Sequence, residues 1–460
     1  MNKKHKISRR DFLKSASLFS AAMLMGNNSI AAVDNYTGPL WLFINAEGGW
    51  DPTLLCDPKG YAGPLGVNDP DRINNYAASD IQHIGNISYA PPPEDFRPGG
   101  VLYNSNLYST DTFFRKYFSQ LLVVNGVDSQ TNIHRDGQRY NLSGKNQASY
   151  PCFNALLGAS LAAQRTMPFI TYGGYSETAG LTTAVKMSST SLNALFEIAY
   201  PNRSLNPRLD DGRVYLADDI QSLIQQTNLQ RLQRQLSQQE LQRPGQALQK
   251  LFLARQAPPL MQLFAEQLLD NPPLSLSQFN GRKRAYRLYE QGRTALIAYA
   301  QGLTAAANLH LSGFDTHAKN DETQYPLLMD YLQAVDAILE EAAKLGVQDR
   351  IIVVMTSDFG RAPFFNEQDG KDHWPVSSVM LMGNSIEKIN GNRIIGATTS
   401  QFRAIPLDPV SLLPDINGNN ATAITLSPAH IHAALRQLAG IGSHALSLQY
   451  PLETGSLNLL

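Results

Sequence analysis

Cysteine is almost missing. The 460-residue chain carries two, Cys56 and Cys152, so one internal disulfide bridge is the most it can form. A bridge closing so long a loop would add roughly 4–5 kcal/mol by the chain-entropy argument, and the sequence leaves open whether the two thiols meet or lie buried apart. Charge of one sign is missing as well. Against 38 Lys and Arg stand 39 Asp and Glu, giving a net charge of -1, and no basic stretch is interleaved with aromatic residues. Nucleic acid is therefore not an expected partner. Beyond the N-terminal segment no apolar run approaches membrane-spanning length, so the chain is not expected to be an integral membrane protein once that segment is gone.

That segment has a pattern of its own. Ser8-Arg9-Arg10-Asp11-Phe12-Leu13-Lys14 fills every position of a twin-arginine export signal, and small apolar residues follow from Ala16 to Gly26. Ser29-Ile30-Ala31 then offers a small-x-small cleavage site. Residues 1–31 are expected to be removed, leaving 32–460 as a periplasmic or secreted protein that has passed through the twin-arginine machinery.

The remaining chain alternates strands with helices. Pro39–Asn45 (P-L-W-L-F-I-N), Leu121–Asn125, Pro168–Tyr172, Asn308–Leu311, Ile351–Met355 and Ser378–Met382 read as strands, most of them short apolar runs of the kind buried in a parallel sheet. A helix is expected over about Thr323–Leu345, with Leu327, Tyr331, Val335, Ile338, Leu339 and Ala342 along one face and Gly346 closing it. Others are expected over about Arg282–Ala306 and Ser427–Gly440. This order predicts an α/β domain built on a mostly parallel sheet. From about 210 to 275 the composition turns to glutamine. Leu223, Leu229, Leu232, Leu236 and Leu241 sit there at roughly helical spacing, which predicts an inserted helical segment, either a cap or an oligomer contact.

In open α/β sheets ligands gather where the strands end, and here the strand ends carry acids and histidines. Asp51 follows the first strand after Gly48-Gly49, unless it merely caps a turn before Pro52. Asp315 and His317 follow Asn308–Leu311, Asp358 follows Ile351–Met355, and His373 comes after a polar loop. Carboxylate with imidazole is a metal-ligating combination that suits zinc or manganese better than calcium. Asp51, Asp315, His317, Asp358 and His373 are therefore the candidate ligands of a divalent metal. His134, in the loop after Leu121–Asn125, is a candidate ligand, general acid or nucleophile. Arg361 either clamps an anionic substrate through its bidentate fork or pairs with a carboxylate such as Asp358 or Asp372. His430 and His432 are two apart on a helix, point in different directions and are not expected to ligate together.

These residues carry a resemblance. Tyr325 to Gly360, with Val335-Asp336 inside the helix and Ser357-Asp358-Phe359-Gly360 at the strand end, is similar to the alkaline phosphatase and sulfatase superfamily. More specifically, the chain resembles the domain-of-unknown-function 1501 family in its twin-arginine signal and in four blocks: Gly48-Gly49-Trp50-Asp51, Gly313-Phe314-Asp315-Thr316-His317, Ser357-Asp358-Phe359-Gly360-Arg361 and Asp372-His373. The resemblance implies an alkaline-phosphatase-like three-layer sandwich over 32–460, interrupted by the glutamine-rich insert. It also implies a metal site at Asp51, Asp315, His317, Asp358 and His373. Two departures stand out. Phe359 occupies the place of a ligand histidine, which implies one metal in place of two. No Cys-x-Pro-Ser-Arg motif occurs, so sulfatase chemistry on a formylglycine is not expected, and counting back ten residues from Gly144 lands on His134. The expected function is hydrolysis of phosphate or sulfate esters, with an anionic small molecule or glycan ester as substrate. The alternative is a scaffold of the same fold that has lost turnover and binds a glycan or a partner protein.

Overall fold

The computed structural model describes residues 36–61, 72–91, 108–188, 214–241, 258–383, 389–455 and 457–460, with short stretches between 195 and 252. The expected export signal and cleavage site lie outside these residues, as does most of the Pro/Gly-rich stretch before Gly100. In chain order the elements that frame the site are β1 (Leu40–Glu47), α1 (Thr110–Tyr117), β2 (Leu121–Asp128), α2 (His134–Ser143), α3 (Phe153–Leu161), β3 (Phe169–Thr171) and β4 (Ala184–Lys186). They continue as α4 (Asp218–Ser237), α5 (Pro258–Asp270), α6 (Lys283–Ala300), β5 (Ala306–Ser312), α7 (Asn320–Lys344), β6 (Ile351–Ser357), β7 (Val376–Met382), β8 (Arg393–Ile395) and α8 (Pro428–Leu438).

Eight strands form one sheet in the order β8-β2-β7-β6-β1-β5-β3-β4. Every neighbouring pair is parallel except those made by β7, which runs against both β2 and β6. The expected mostly parallel α/β sandwich is what the chain forms. β1 lies at its centre between β5 and β6 and is buried along almost its whole length, which is why its sequence is apolar without alternation. Trp41 and Phe43 meet Phe153 of α3 on one face, and Phe43 also meets His432 of α8. Leu42 and Ile44 point to the other face, where α6 packs on α7 and α1 on α7. Most of the strands run past their expected ends: β1 reaches Glu47, β2 Asp128 and β6 Ser357. Cys56 and Cys152 are both buried and free, so the bridge is not made.

One core residue carries a pH prediction. His432 is buried between Phe43 and Phe153, and its Nε2 donates to the Asn141 carbonyl at 2.9 Å. Burial holds its pKa down at about 3. The folded state keeps it neutral while the unfolded chain takes up a proton below about pH 6.5, so the unfolded state binds more protons and stability falls as pH drops from about 6.5 towards 3. The slope from this one group is about 1.4 kcal/mol per pH unit. Urea midpoints at pH 7 and pH 5 should separate more for the wild type than for His432→Gln. Equal separations would remove His432 as the cause.

The glutamine-rich segment contributes two described helices. α5 buries Met261, Phe264, Ala265 and Leu268, and the Arg293 guanidinium of α6 donates to the Leu268 carbonyl at 2.8 Å. α4 buries nothing. Leu229, Leu232 and Leu236 line one face and are part-buried, while Leu223 lies on the opposite side, exposed. Among the described residues no helix is long and apolar enough to cross a membrane.

Candidate metal centre

Parallel strands end at one edge of a sheet, so the loops after β1, β2, β5 and β6 converge. β7 is antiparallel and begins at that same edge, which brings in His373, three residues before it. Two glycines allow the close approach. Gly48 has φ +115°, and a Cβ there would lie 2.5 Å from the Asp315 nitrogen. Gly137, in the first turn of α2, lets that helix sit against the end of β6, since a Cβ would come within 2.4 Å of the Asp358 carbonyl oxygen.

His134, Asp315 and His373 form a group whose donor atoms lie within 4.8 Å of one another. His317 joins it. Its Nε2 is 3.0 Å from His373 Nε2 and 3.1 Å from Asp315 Oδ1, while His373 Nε2 is 3.1 Å from the same oxygen. His134 Nε2 faces Asp315 Oδ2 at 3.4 Å. The protonation of these rings follows from what their other nitrogens touch. His134 Nδ1 lies 2.9 Å from Asp358 Oδ2, His317 Nδ1 2.7 Å from Asp372 Oδ1, and His373 Nδ1 2.8 Å from the Asn132 carbonyl. Carboxylates and carbonyls only accept, so each Nδ1 carries the hydrogen and each neutral ring presents an Nε2 lone pair. Three lone pairs and a carboxylate thus converge with no donor hydrogen among them, and His134 Nε2 is buried without a hydrogen-bond partner. Such a group could hold a cation, and anchored Nδ1 atoms are the outer-shell arrangement that orients metal-ligating histidines.

The charges around the group act on its two inner histidines in opposite directions. The hydrogen bond to Asp358 raises the His134 pKa despite burial, and burial lowers that of His373. Burial alone would raise the Asp315 carboxyl, but the hydrogen bond and charge of Arg361, with the neighbouring His373 and His134 rings, outweigh it and hold it at about 2. Phe359, fully buried, sets its ring 4.8 Å from His134 and 4.6 Å from His373. It is a wall against which two ligand rings are fixed. Asp315 and His317 are each 47% exposed, so the group opens to solvent.

The expected residues divide into two sets. Asp315, His317 and His373 come together, and His134 joins them as a fourth donor. Asp358 stands behind them: wholly buried, it accepts from Gly48 N at 3.0 Å, Gln138 Nε2 at 3.3 Å and Asn45 Nδ2 at 3.3 Å while it holds His134. Asp51 is not brought to the group. It caps the turn at Pro52, accepting from Thr53 N at 3.0 Å and Thr53 Oγ1 at 2.6 Å, and its other oxygen takes the Lys371 ammonium at 2.7 Å. Arg361 takes the second of its expected roles, pairing with a carboxylate, here Asp315, with four of its five N–H groups engaged. Nε donates to Gly49 O at 2.9 Å, Nη1 to Lys371 O at 3.0 Å, and Nη2 to Gly48 O and to Asp315 Oδ1. It is fully buried and fixes the Asp315 carboxylate in place. Sequence reasoning did not reach Glu47, Gln138 and His310. Extending β1 by two residues would have put Glu47 at a strand end beside the other acids.

The comparisons with known proteins can now be set beside this geometry. The family described as "Protein of unknown function (DUF1501)" matches residues 104–439. The chain belongs to this family. Among solved structures it is similar to the alkaline phosphatase from the Antarctic bacterium TAB5, at 9% identity over 88% of this chain and 99% of that one, with a TM-score of 0.33. It is similar to BT1596, a 2-O GAG sulfatase, at 10% identity over 91% and 73%, TM-score 0.31. A phosphonate monoester hydrolase of Agrobacterium radiobacter gives 11% identity over 87% and 74%, TM-score 0.30. Likenesses of this size carry nothing about activity. No curated protein sequence matches the chain.

Asp358 supplies a prediction at this DUF1501 site. In Asp358→Asn, an amide NH₂ meets either the donor Asn45 Nδ2 or the donors Gly48 N and Gln138 Nε2, and His134 Nδ1 loses its charged acceptor. Metal affinity is expected to fall by roughly 10–100-fold, the usual cost of an outer-shell partner. Competition against a chelator of known affinity reads this directly, and unchanged affinity would separate Asp358 from the centre.

Proposed function

We propose that the protein is an exported metal-dependent hydrolase of phosphate or sulfate esters, with a single divalent ion, zinc or manganese, held by His134, Asp315, His317 and His373. The observation that carries this reading is the convergence of three imidazole lone pairs on one carboxylate with no hydrogen between them. An ion bound there would polarise a phosphoryl or sulfuryl oxygen and lower the pKa of a water. The chain's own residues favour that use. Three of the four donors are neutral, and the fourth, Asp315, is already matched by Arg361 at 2.8 Å. The positive charge of the ion therefore stays largely uncompensated, which attracts an oxyanion ester. Phe359 closes the inner side to water, and the exposed side of Asp315 and His317 leaves room for a small-molecule or glycan ester. Export rests on the twin-arginine pattern of Ser8–Lys14 and would place the enzyme in the periplasm or outside the cell.

The test is metal content together with turnover. Purified protein is expected to hold one equivalent of zinc or manganese, and to hydrolyse 4-nitrophenyl phosphate or sulfate in a way that a chelator abolishes and the metal restores. Protein without metal, indifferent to added zinc and manganese, sinks the reading. Protein that keeps its metal but turns over neither ester supports the non-catalytic alternative.

A further inference from the structure

α4 is seated on the molecule by one side only. Leu229, Leu232 and Leu236 are part-buried, whereas Ile220, Leu223 and Ile224, on the other side of its first half, are 47%, 64% and 43% exposed. Val214, Tyr215 and Leu216, just before the helix, are exposed as well. Apolar side chains standing singly on a surface are ordinary. Together, however, these two runs amount to roughly 600 Å² of uncovered apolar surface, the upper end of what a typical monomer carries. They also have an order. Ile220, Leu223, Thr227, Gln230 and Arg234 follow one another at steps of three and four residues, the spacing of a coiled-coil seam. The charges say what fits it. α4 carries Asp218, Asp219, Arg231 and Arg234 and no other charged residue. Their sum is zero, so nothing draws the helix to an anionic lipid surface in the way that a basic amphipathic helix is drawn. Gln226 and Gln230 flank the seam, and an amide both donates and accepts, so this rim is complementary to itself.

We propose that the exposed first half of α4 is a homodimer contact, where two copies of the chain pack antiparallel about a two-fold axis between residues 221 and 222. Ile220 of each copy then lies on Leu223 of the other, Ile224 flanks that contact, and Leu216 reaches Thr227 of the other copy. The antiparallel direction follows from the acidic first turn. A parallel copy would set the two Asp218-Asp219 pairs side by side, with both positive helix ends together, whereas turning it end for end moves the pairs about 10 Å apart along the axis. A two-fold contact uses the same patch on both copies, which is what a neutral seam with a self-complementary rim allows. With the glutamine rim added, the patch approaches the roughly 800 Å² that each partner gives to a standard interface. The contact needs neither metal nor turnover, so it stands or falls independently of the ester-hydrolase reading.

Sedimentation equilibrium of the purified protein tests this. The wild type is expected to sediment with twice the mass of one chain and to dissociate in the micromolar range. Ile220→Gln combined with Leu223→Gln should weaken the dimer by at least about 100-fold, because both side chains sit at the centre of the contact. The thermal unfolding curve of that variant should match the wild type under conditions where both are monomers, since neither side chain is buried. Leu413→Gln changes an equally exposed leucine outside α4, at 67%, and is expected to dimerise like the wild type. A wild type that stays a single chain at about 100 μM overturns the proposal, whether or not it holds metal and hydrolyses an ester. So does a dimer that the double variant leaves intact, or one that Leu413→Gln weakens as much. A single-chain wild type that floats with phosphatidylglycerol vesicles, and loses this in the double variant, assigns the face to a membrane and likewise overturns the second copy.

Discussion

His373→Ala is expected to cost the protein its metal and, with it, more than about 100-fold in hydrolysis of a model ester, since removing a ligand outweighs the loss of an outer-shell partner. The reason is local. His373 Nε2 lies 3.0 Å from His317 Nε2 and 3.1 Å from Asp315 Oδ1, and its ring also packs on Phe359. Without it three donors are left, His134, Asp315 and His317, and the last two are half-exposed to solvent. Fold and stability should survive, because the His373 side chain is already 20% exposed and contributes little to the core. Elemental analysis after dialysis gives the stoichiometry, and the rate on 4-nitrophenyl phosphate gives the function. The two readings must fall together. A variant that keeps one equivalent of metal and full activity would falsify the ligand role of His373.

Much of this centre was legible in the sequence because its logic is that of strand ends. Asn308–Leu311 and Ile351–Met355 are apolar runs followed at once by acids, and parallel pairing with β1 brings those ends to one edge. His373 was legible only as part of a motif, because its place depends on β7 running antiparallel. What could not be read was which side of the chain each residue faces after the turn. Asp51 follows a strand as Asp315 does, yet the turn through Gly48 and Gly49 sends it into a buried pocket with Lys371, 320 positions away. Arg361 has the fork of an anion clamp, but two of its nitrogens are taken by the carbonyls of that same turn. Asp358 ends a strand like Asp315, and the packing of Gly137 against it turns its carboxylate inward to His134. In the glutamine-rich segment Leu229, Leu232 and Leu236 of α4 share a face, as their spacing suggests, and Leu223 does not.

The second large effect is on stability. Lys371→Met is expected to destabilise the fold by about 3–5 kcal/mol, the cost of leaving one member of a buried ion pair without the other. Lys371 and Asp51 are both fully buried. The ammonium donates to Asp51 Oδ2 at 2.7 Å and Asn74 Oδ1 at 2.8 Å and lies 5.1 Å over the Phe365 ring. Methionine fills the volume of the stem but satisfies none of those oxygens. Asp51→Leu with Lys371→Met removes both charges and should recover part of the loss, because an apolar pair of similar size is often as stable as a buried ion pair. Recovery stays incomplete, since Asp51 also caps the turn at Pro52 by accepting from Thr53 N at 3.0 Å. Urea denaturation of the wild type and the two variants, with equal slopes, gives the values. The single variant should also bind metal less tightly, because the backbone of Lys371 ties the loop carrying Asp372 and His373 to the site. Its N–H donates to Thr316 O at 3.0 Å, and its carbonyl accepts from Arg361, which holds Asp315. A double variant that regains stability but not metal affinity would show that the ion pair sets the position of this loop. Recovery of both would mean that the apolar pair holds the loop equally well.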